Sequence, residues 1–284
     1  MSLRPKPQRL SLLLADVDGT LVDENKILTD RAAAAVRELR RRGVRFAVTS
    51  GRPPRGMAML VEPLALDTAI AGFNGGVFVS PDLSIIAEKT LSRTAAETVV
   101  RSILDHGLDA WVYAGNDWLI RNKAAPHVAR EAWTVKFEPT VTVDLSLGFG
   151  RAAKVVGVSD DYDRVAACEK ALQGALGAQA SAARSQPYYV DVTHPEANKG
   201  FVVEYLSRQF GIPADEIATI GDMPNDVLMF RKSGFSIAMG NASAEVQSQA
   251  DAVTASYNDD GFAKAVERYL LDEQGGHSIR SGSI

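Results

Sequence analysis

The sequence predicts an α/β fold: a doubly wound, mostly parallel sheet with a smaller α+β segment inserted into it. Short apolar runs at Leu12–Val17, Val44–Val48, Thr68–Gly72 and Ile217–Ile220 are too short for helices and read as buried strands. Helix-forming stretches separate the first three of them, and the order strand, helix, strand, helix, strand is that of a parallel sheet covered by helices. Between residues 83 and 189 that rhythm lapses, and the three tryptophans, Trp111, Trp118 and Trp133, all fall there.

The first strand leads into LLLADVDGTL, Leu12–Leu21. Side chains alternate along a strand, so Asp16 and Asp18 point the same way before Gly19-Thr20 breaks it. Two adjacent carboxylates repel each other, and a hard divalent cation between them would relieve that. The plainer alternative is that one aspartate caps a turn and the other is solvated. Past the polar segment Asp23–Lys26, Thr29 is a good N-cap for RAAAAVRELRRRG, and Gly43 is a natural stop. The second strand ends in Thr49-Ser50-Gly51-Arg52, and Pro53-Pro54 open a helix expected to reach about Leu64. The third strand ends in Asn74-Gly75-Gly76.

Val77–Val79 and Ile85–Lys89 read as a hairpin, followed by a helix from about Thr94 to His106. Strands are expected at Ala110–Ala114, Trp118–Arg121, Val141–Asp144, Ala153–Val158 and Tyr188–Val192, with a helix over Asp160–Gly174. Gly148-Phe149-Gly150 reads as a turn. The βαβ pattern then returns. A helix starts at Asn198-Lys199-Gly200, the Ile217–Ile220 strand ends in Gly221-Asp222, and a helix covers Pro224–Lys232. Strands at Phe235–Ala238 and Ala252–Thr254 and a helix over Gly261–Leu271 complete the core. The expected domains are a core of residues 1–82 and 190–284 and an inserted domain of 83–189, with a Gly/Ser-rich tail at 274–284 expected to be disordered.

The 284 residues are 46% hydrophobic and 23% charged, with a formal net charge of −4, values that suit a globular chain and offer no nucleic-acid or membrane surface. One cysteine, Cys168, excludes an intramolecular disulfide, fits a reducing compartment and reads as a small core residue. The basic N-terminus (Arg4, Lys6, Arg9) precedes an apolar run too short for a signal peptide, and no stretch is long enough to span a bilayer. The expectation is a soluble cytoplasmic protein, monomer or homodimer.

In doubly wound sheets, ligands bind at the carboxyl ends of the strands. Those ends carry Asp16 and Asp18, Ser50, Asn74, and Asp222 with Asn225 and Asp226, while Lys199 sits at a helix start. Singly each has a plain explanation: Ser50 as turn former, Lys199 as surface lysine, Asp222 as helix cap. Together they suit Mg²⁺ and phosphate, because magnesium takes one or two carboxylates plus phosphate oxygens. The hydroxyl, amide and ammonium would hold the remaining phosphate oxygens.

DVDGTL at Asp16–Leu21 resembles the first motif of the haloacid dehalogenase (HAD) superfamily of phosphatases. Thr49-Ser50-Gly51-Arg52 resembles its second motif, Lys199 its third, and GDMPND at Gly221–Asp226 its fourth. The segment between the second and third is similar to the type IIB cap of the Cof-like subfamily, and Asn74-Gly75-Gly76 to the turn before that cap. Asn198, before the lysine, and His194-Pro195-Glu196 depart from the usual pattern without removing a catalytic group.

The resemblance implies a Rossmann-like core and a Mg²⁺-dependent phosphatase acting on a small phosphorylated metabolite, such as a sugar phosphate, through an aspartyl-phosphate. It makes Asp16 the nucleophile and Asp18 the acid and base. Asp16, the Asp18 carbonyl and Asp222 become the metal ligands, and Asp226 supports the metal from outside. Ser50, Gly51, Lys199 and Asn225 would bind phosphate, and Asn74, Arg52, Lys154 and His194 are candidate substrate contacts. Two alternatives stand: a phosphomutase similar to the phosphomannomutases, and a non-catalytic phospho-ligand-binding module. A dinucleotide-binding protein is disfavoured by the lack of a GxGxxG loop.

Overall fold

The computed structural model describes residues 7–271, so the tail at 274–284 lies outside the described residues. In chain order the strands are β1 (Leu12–Asp16), β2 (Arg45–Thr49), β3 (Ile70–Gly72), β4 (Val77–Val79), β5 (Ile85–Glu88), β6 (Asp109–Ala114) and β7 (Asp117–Ile120). They continue as β8 (Thr140–Val141), β9 (Ala152–Val158), β10 (Ser181–Gln186), β11 (Tyr189–Thr193), β12 (Ile217–Gly221), β13 (Phe235–Ala238) and β14 (Ala252–Val253). The longer helices are α1 (Asp30–Arg41), α2 (Arg93–Asp105), α3 (Val128–Val135), α4 (Tyr162–Leu176) and α5 (Lys199–Phe210). By internal contacts the chain forms two compact units, one running up to Phe46 and resuming at Ile212, the other spanning Ala47–Gly211.

In the first unit β1 pairs in parallel with β12, from Leu12 opposite Ile217 to Ala15 opposite Ile220, and β13 and β14 extend the sheet in parallel. The start of β2 joins the other side of β1, where the Arg45 N–H donates to the Ser11 carbonyl at 2.9 Å. Leu12–Ala15 are wholly buried, as a strand with covered faces requires. α1 begins where the Thr29 hydroxyl accepts from the Ala32 N–H, buries Ala32, Ala33, Ala35, Val36 and Leu39, and gives way to Gly43 at φ +77°.

In the second unit the end of β2 pairs in parallel with β3, and β3, β4 and β5 form an antiparallel run. A six-stranded sheet in the order β10-β11-β9-β6-β7-β8 follows, antiparallel except for β7 with β8. One of its faces presents Ala110, Val112, Leu119, Val155, Val190 and Val192 to α2 and α4, building an apolar core. Cys168 lies wholly buried in that core. Burial pushes its thiol up to about 11, so it stays a packed thiol at neutral pH.

Several sequence expectations are corrected at element ends. Pro54 opens a 3-10 helix that stops at Leu60, not a helix to Leu64, because Gly56 weakens it and Pro63 disfavours helical backbone at Glu62. The strand expected over Val141–Asp144 reduces to Thr140–Val141, and the turn at Gly148-Phe149-Gly150 lies in a 3-10 helix over Leu145–Arg151. The helix expected over Pro224–Lys232 divides into a 3-10 turn (Pro224–Asp226) and a short helix (Val227–Phe230). Sequence reasoning missed α3 and β10 altogether. α3 has left-handed residues at both ends, His127 at φ 65° and Lys136 at φ 62°, with no glycine to announce them. β10 reads SAARSQ and buries only Ala182, so it lacks an apolar alternation.

Candidate active site

In the first unit the parallel register of β1 with β12 sets Asp16 and Asp222 at neighbouring strand ends. Asp16, Asp222 and Asp226 each offer a carboxylate oxygen, and these oxygens lie within 4.8 Å of one another. Asp16 is 4% exposed and Asp226 is fully buried. One oxygen of Asp226 accepts from the backbone N–H groups of Asp222 (2.9 Å) and Met223 (2.8 Å), which fixes the turn after β12. Asp222 accepts from the Thr20 hydroxyl at 3.2 Å and from the Asn241 carboxamide at 3.1 Å. The same Asn241 nitrogen donates to the Gly19 carbonyl at 3.0 Å. Gly19 has φ +76°, and a Cβ there would lie 2.5 Å from Asp222 Oδ2, so the position after Asp18 calls for glycine.

The Asp18 side chain meets a cation of the chain itself. Its Oδ1 lies 2.8 Å from Lys26 Nζ. Lys26 is presented by a short loop, with bridges between Asp18 and Val22 and between Val22 and Leu28 at its base and a left-handed φ of 63° at Lys26 itself. Asn225 occupies the turn Pro224–Asp226 beside the capped carboxylate.

In the second unit the end of β2 and the turn after β3 are laced together. The Asn74 N–H donates to the Ser50 carbonyl (2.8 Å), the Phe73 N–H to the Arg52 carbonyl (2.9 Å), and the Arg52 N–H to the Ser50 hydroxyl (3.1 Å). Phe73, Asn74 and Gly75 all take positive φ. A Cβ on Gly51 would lie 3.7 Å from Asn74 Oδ1, which places that carboxamide over Gly51. A Cβ on Gly75 would meet Val202 at 2.8 Å and the Asn198 carbonyl at 3.1 Å, so this turn backs onto the start of α5. Asn198 caps α5 by accepting from the Phe201 N–H at 3.0 Å, and Lys199, its first residue, is 2% exposed. The Asn198 departure thus supplies the cap that holds the lysine. These contacts bring Ser50, Gly51, Arg52 and Asn74 together and set the start of α5, where Lys199 is buried, behind the Asn74-Gly75 turn.

The other candidates lie on or next to the six-stranded sheet. Lys154 Nζ is 2.6 Å from Asp191 Oδ2. His194 follows β11 and accepts from the Glu196 N–H at 3.1 Å, while Glu196 pairs with Lys89. Sequence reasoning missed Lys26, Asn241, Glu131 and Asp191. Asn241 had a faint signal, an asparagine just past the end of β13. Glu131 had none, because α3 was not legible. It accepts from the Tyr113 hydroxyl at 2.7 Å. Burial raises its carboxyl above the ordinary range against the opposing pull of that hydrogen bond and of the Lys154 and Arg52 charges, while the Asp191 charge adds to the rise.

The first-unit acids fit a hard divalent cation: the donors are all oxygen, the charges are alike, and their oxygens converge. Without a cation, like charges this close would oppose one another.

A family profile described as haloacid dehalogenase-like hydrolase matches residues 13–266. The chain is 24% identical over 271 residues to a 5-amino-6-(5-phospho-D-ribitylamino)uracil phosphatase of Bacillus subtilis, covering 95% of this chain and 100% of the relative. Among solved structures it is similar to a haloacid dehalogenase-like hydrolase from Bacteroides thetaiotaomicron, with a TM-score of 0.85, 27% identity, and 92% and 99% of the two chains covered. A sugar phosphatase of HAD subclass IIB shares the fold at a TM-score of 0.78 with 21% identity, over 92% of this chain and 100% of that one. With the profile spanning the acids of β1, the Ser50 loop, Lys199 and the turn after β12, the chain belongs to the haloacid dehalogenase-like hydrolases.

Proposed function

We propose that the protein hydrolyses a small phosphate monoester, such as a sugar phosphate, with Mg²⁺ held by Asp16, the Asp18 carbonyl and Asp222. The observation that carries this is the division of labour among the acids: Asp16, Asp222 and Asp226 converge, whereas the Asp18 side chain is engaged with Lys26. The bound cation would screen the carboxylates and polarise the phosphoryl oxygens. A carboxylate of Asp16 attacks phosphorus, the ester P–O bond breaks, and Asp18 protonates the departing alkoxide. Asp18 then takes a proton from water, whose oxygen attacks the aspartyl-phosphate, releasing phosphate and restoring Asp16. Ser50, Lys199, Asn225 and the Gly51 N–H bind the transferring group, and Asp226 fixes the turn that carries Asp222.

Residues 83–189 serve as the cap that reads the leaving group, with Asn74, Arg52, Lys154 and His194 as substrate contacts. The names of the (phosphoribitylamino)uracil phosphatase and of the sugar phosphatase support a small metabolite as substrate. A single buried cysteine supports a cytoplasmic setting. Asp16→Asn should keep the fold, checked by its melting curve, and reduce phosphate release from nitrophenyl phosphate to the background rate. Wild-type turnover in the Asn variant would sink the assignment.

A further inference from the structure

The loop that follows the first strand is built against its own local preferences. Its base is fixed: the Val17 carbonyl accepts from the N–H groups of Leu21 (2.9 Å) and Val22 (3.1 Å), and both of those side chains are buried. Its tip is fixed as well. The Asp23 N–H donates to the Ile27 carbonyl (3.0 Å), the Lys26 N–H to the Asp23 carbonyl (3.0 Å), and the Ile27 N–H to Asp23 Oδ1 (2.8 Å). Within that frame the isoleucine faces water and the lysine turns inward. Ile27 is 60% exposed, whereas the Lys26 side chain is 22% exposed. Apolar burial alone would order them the other way. Lys26 also takes a φ of 63°, a region that glycine enters freely and lysine rarely.

The Lys26 ammonium meets Asp18 Oδ1 at 2.8 Å. Stability does not explain the arrangement. The Asp18 side chain is 31% exposed, and an ion pair open to water in this way contributes little to folding. The left-handed lysine and the exposed isoleucine work against folding. Backbone strain that folding does not reward collects at functional sites, and here it brings one ammonium to one carboxylate.

We infer that Lys26 is a positioning residue for the proposed hydrolysis, and that it holds the Asp18 carboxylate for the step in which water attacks the aspartyl-phosphate. This rests on the phosphatase reading above. In that step the water oxygen bonds to phosphorus, the bond from phosphorus to the Asp16 oxygen breaks, and a proton of the water passes to Asp18. An ammonium pairs with Asp18 as a carboxylate, and it is as a carboxylate that Asp18 accepts this proton. A carboxylate at a strand end has several rotamers open to it. The ion pair selects one of them, and the doubly anchored loop keeps the ammonium in place. Lys26 is assigned no contact with phosphate, so its loss should act on turnover and not on substrate affinity.

The test uses the intact protein with Mg²⁺ and nitrophenyl phosphate, whose leaving group departs readily without a proton donor, so that kcat reports the water step. In Lys26→Met, which keeps a long side chain and deletes the charge, kcat should fall about tenfold with KM nearly unchanged, a loss inside the roughly hundredfold that a misplaced catalytic group can cost. The aspartyl-phosphate formed from phosphate-labelled ester, chased with unlabelled ester and trapped by acid quenching, should decay more slowly by the same factor. Lys26→Arg, which keeps a cation, should recover most of the turnover. Lys26→Gly separates position from stability. It relieves the left-handed backbone, so it should melt at or above the wild-type temperature yet turn over no faster than Lys26→Met. A merely structural lysine would make turnover follow the melting point. Wild-type kcat in Lys26→Met and Lys26→Gly, a loss of the same size in Lys26→Arg, or an unchanged decay of the aspartyl-phosphate would overturn the inference while leaving a working phosphatase. No Asp16-dependent phosphate release from any ester would instead remove the phosphatase reading, and this inference with it.

Discussion

Asp16 and Asp18 are two residues apart and point from the same strand end, yet the structure gives them different company. Asp16 is buried among carboxylates, and Asp18 keeps an ammonium 2.8 Å away. The role proposed for Asp16 fits that company, whereas the acid and base role proposed for Asp18 rests on the resemblance of its motif, since a neighbouring ammonium by itself favours the ionised carboxylate. Glu131 makes a second residue-scale case. Its folded pKa is raised above the ordinary 4.5, chiefly by burial, so the folded state holds its proton more tightly than the unfolded chain does. Stability from this group is therefore complete below pH about 4.5 and lost as pH rises through the raised value. The groups that face it are Tyr113, Lys154, Asp191 and Arg52. Glu131→Gln should flatten that part of the stability curve. Urea melts of wild type and variant across mildly acidic to neutral pH would show it, and parallel curves would count against it.

Elements matter here mainly through their ends. β1, β2, β3 and β12 are ordinary buried strands, and their chemistry sits at their carboxyl ends, from Asp16 as the last residue of β1 to Asp226 in the turn after β12. α5 contributes through its first turn: the Asn198 cap fixes the helix start and with it Lys199. Asn198→Ala should cost about 1 kcal/mol, the usual worth of an N-cap, seen as a melting point lowered by a few degrees. If Lys199 binds the phosphoryl group, KM for nitrophenyl phosphate should rise with it. Asn198→Ser or Asp, which restores a cap, should recover both. α3 shows the converse. It is only eight residues long and enters and leaves through left-handed residues, so nothing in its local sequence marked it, yet it carries Glu131.

For the whole molecule, the convergent acids predict that folding and metal binding are linked. At a Mg²⁺ concentration a hundred times its Kd, a cation that binds only the folded state adds about 2.7 kcal/mol, enough to raise the melting point by several degrees. Asp222→Ala should abolish that rise, and a chelator should reverse it in the wild type. A melting point indifferent to Mg²⁺ and other divalent ions would argue against the metal site. Among the described residues no helix is long and apolar enough to cross a membrane.

Much of this was written in the chain. The strands of the parallel sheet, the capped helix α1, and the acids, serine and lysine at strand and helix ends were legible because they depend on local facts: apolar run length, cap chemistry and the break after each strand. What sequence could not give was which distant groups share a neighbourhood. Asn241 ties Asp222, 19 residues before it, to Gly19, 222 residues before it, and Lys26 reaches Asp18 only through a loop bent by a left-handed residue. The face that bears Trp111, Lys154 and Asp191 emerges from antiparallel register across β6, β9 and β11, and register is fixed by what each strand pairs with. The sequence by itself determined the elements and the inventory of chemical groups. Tertiary structure alone decided their partners, because burial and pairing are properties of the folded surroundings and not of the residues themselves.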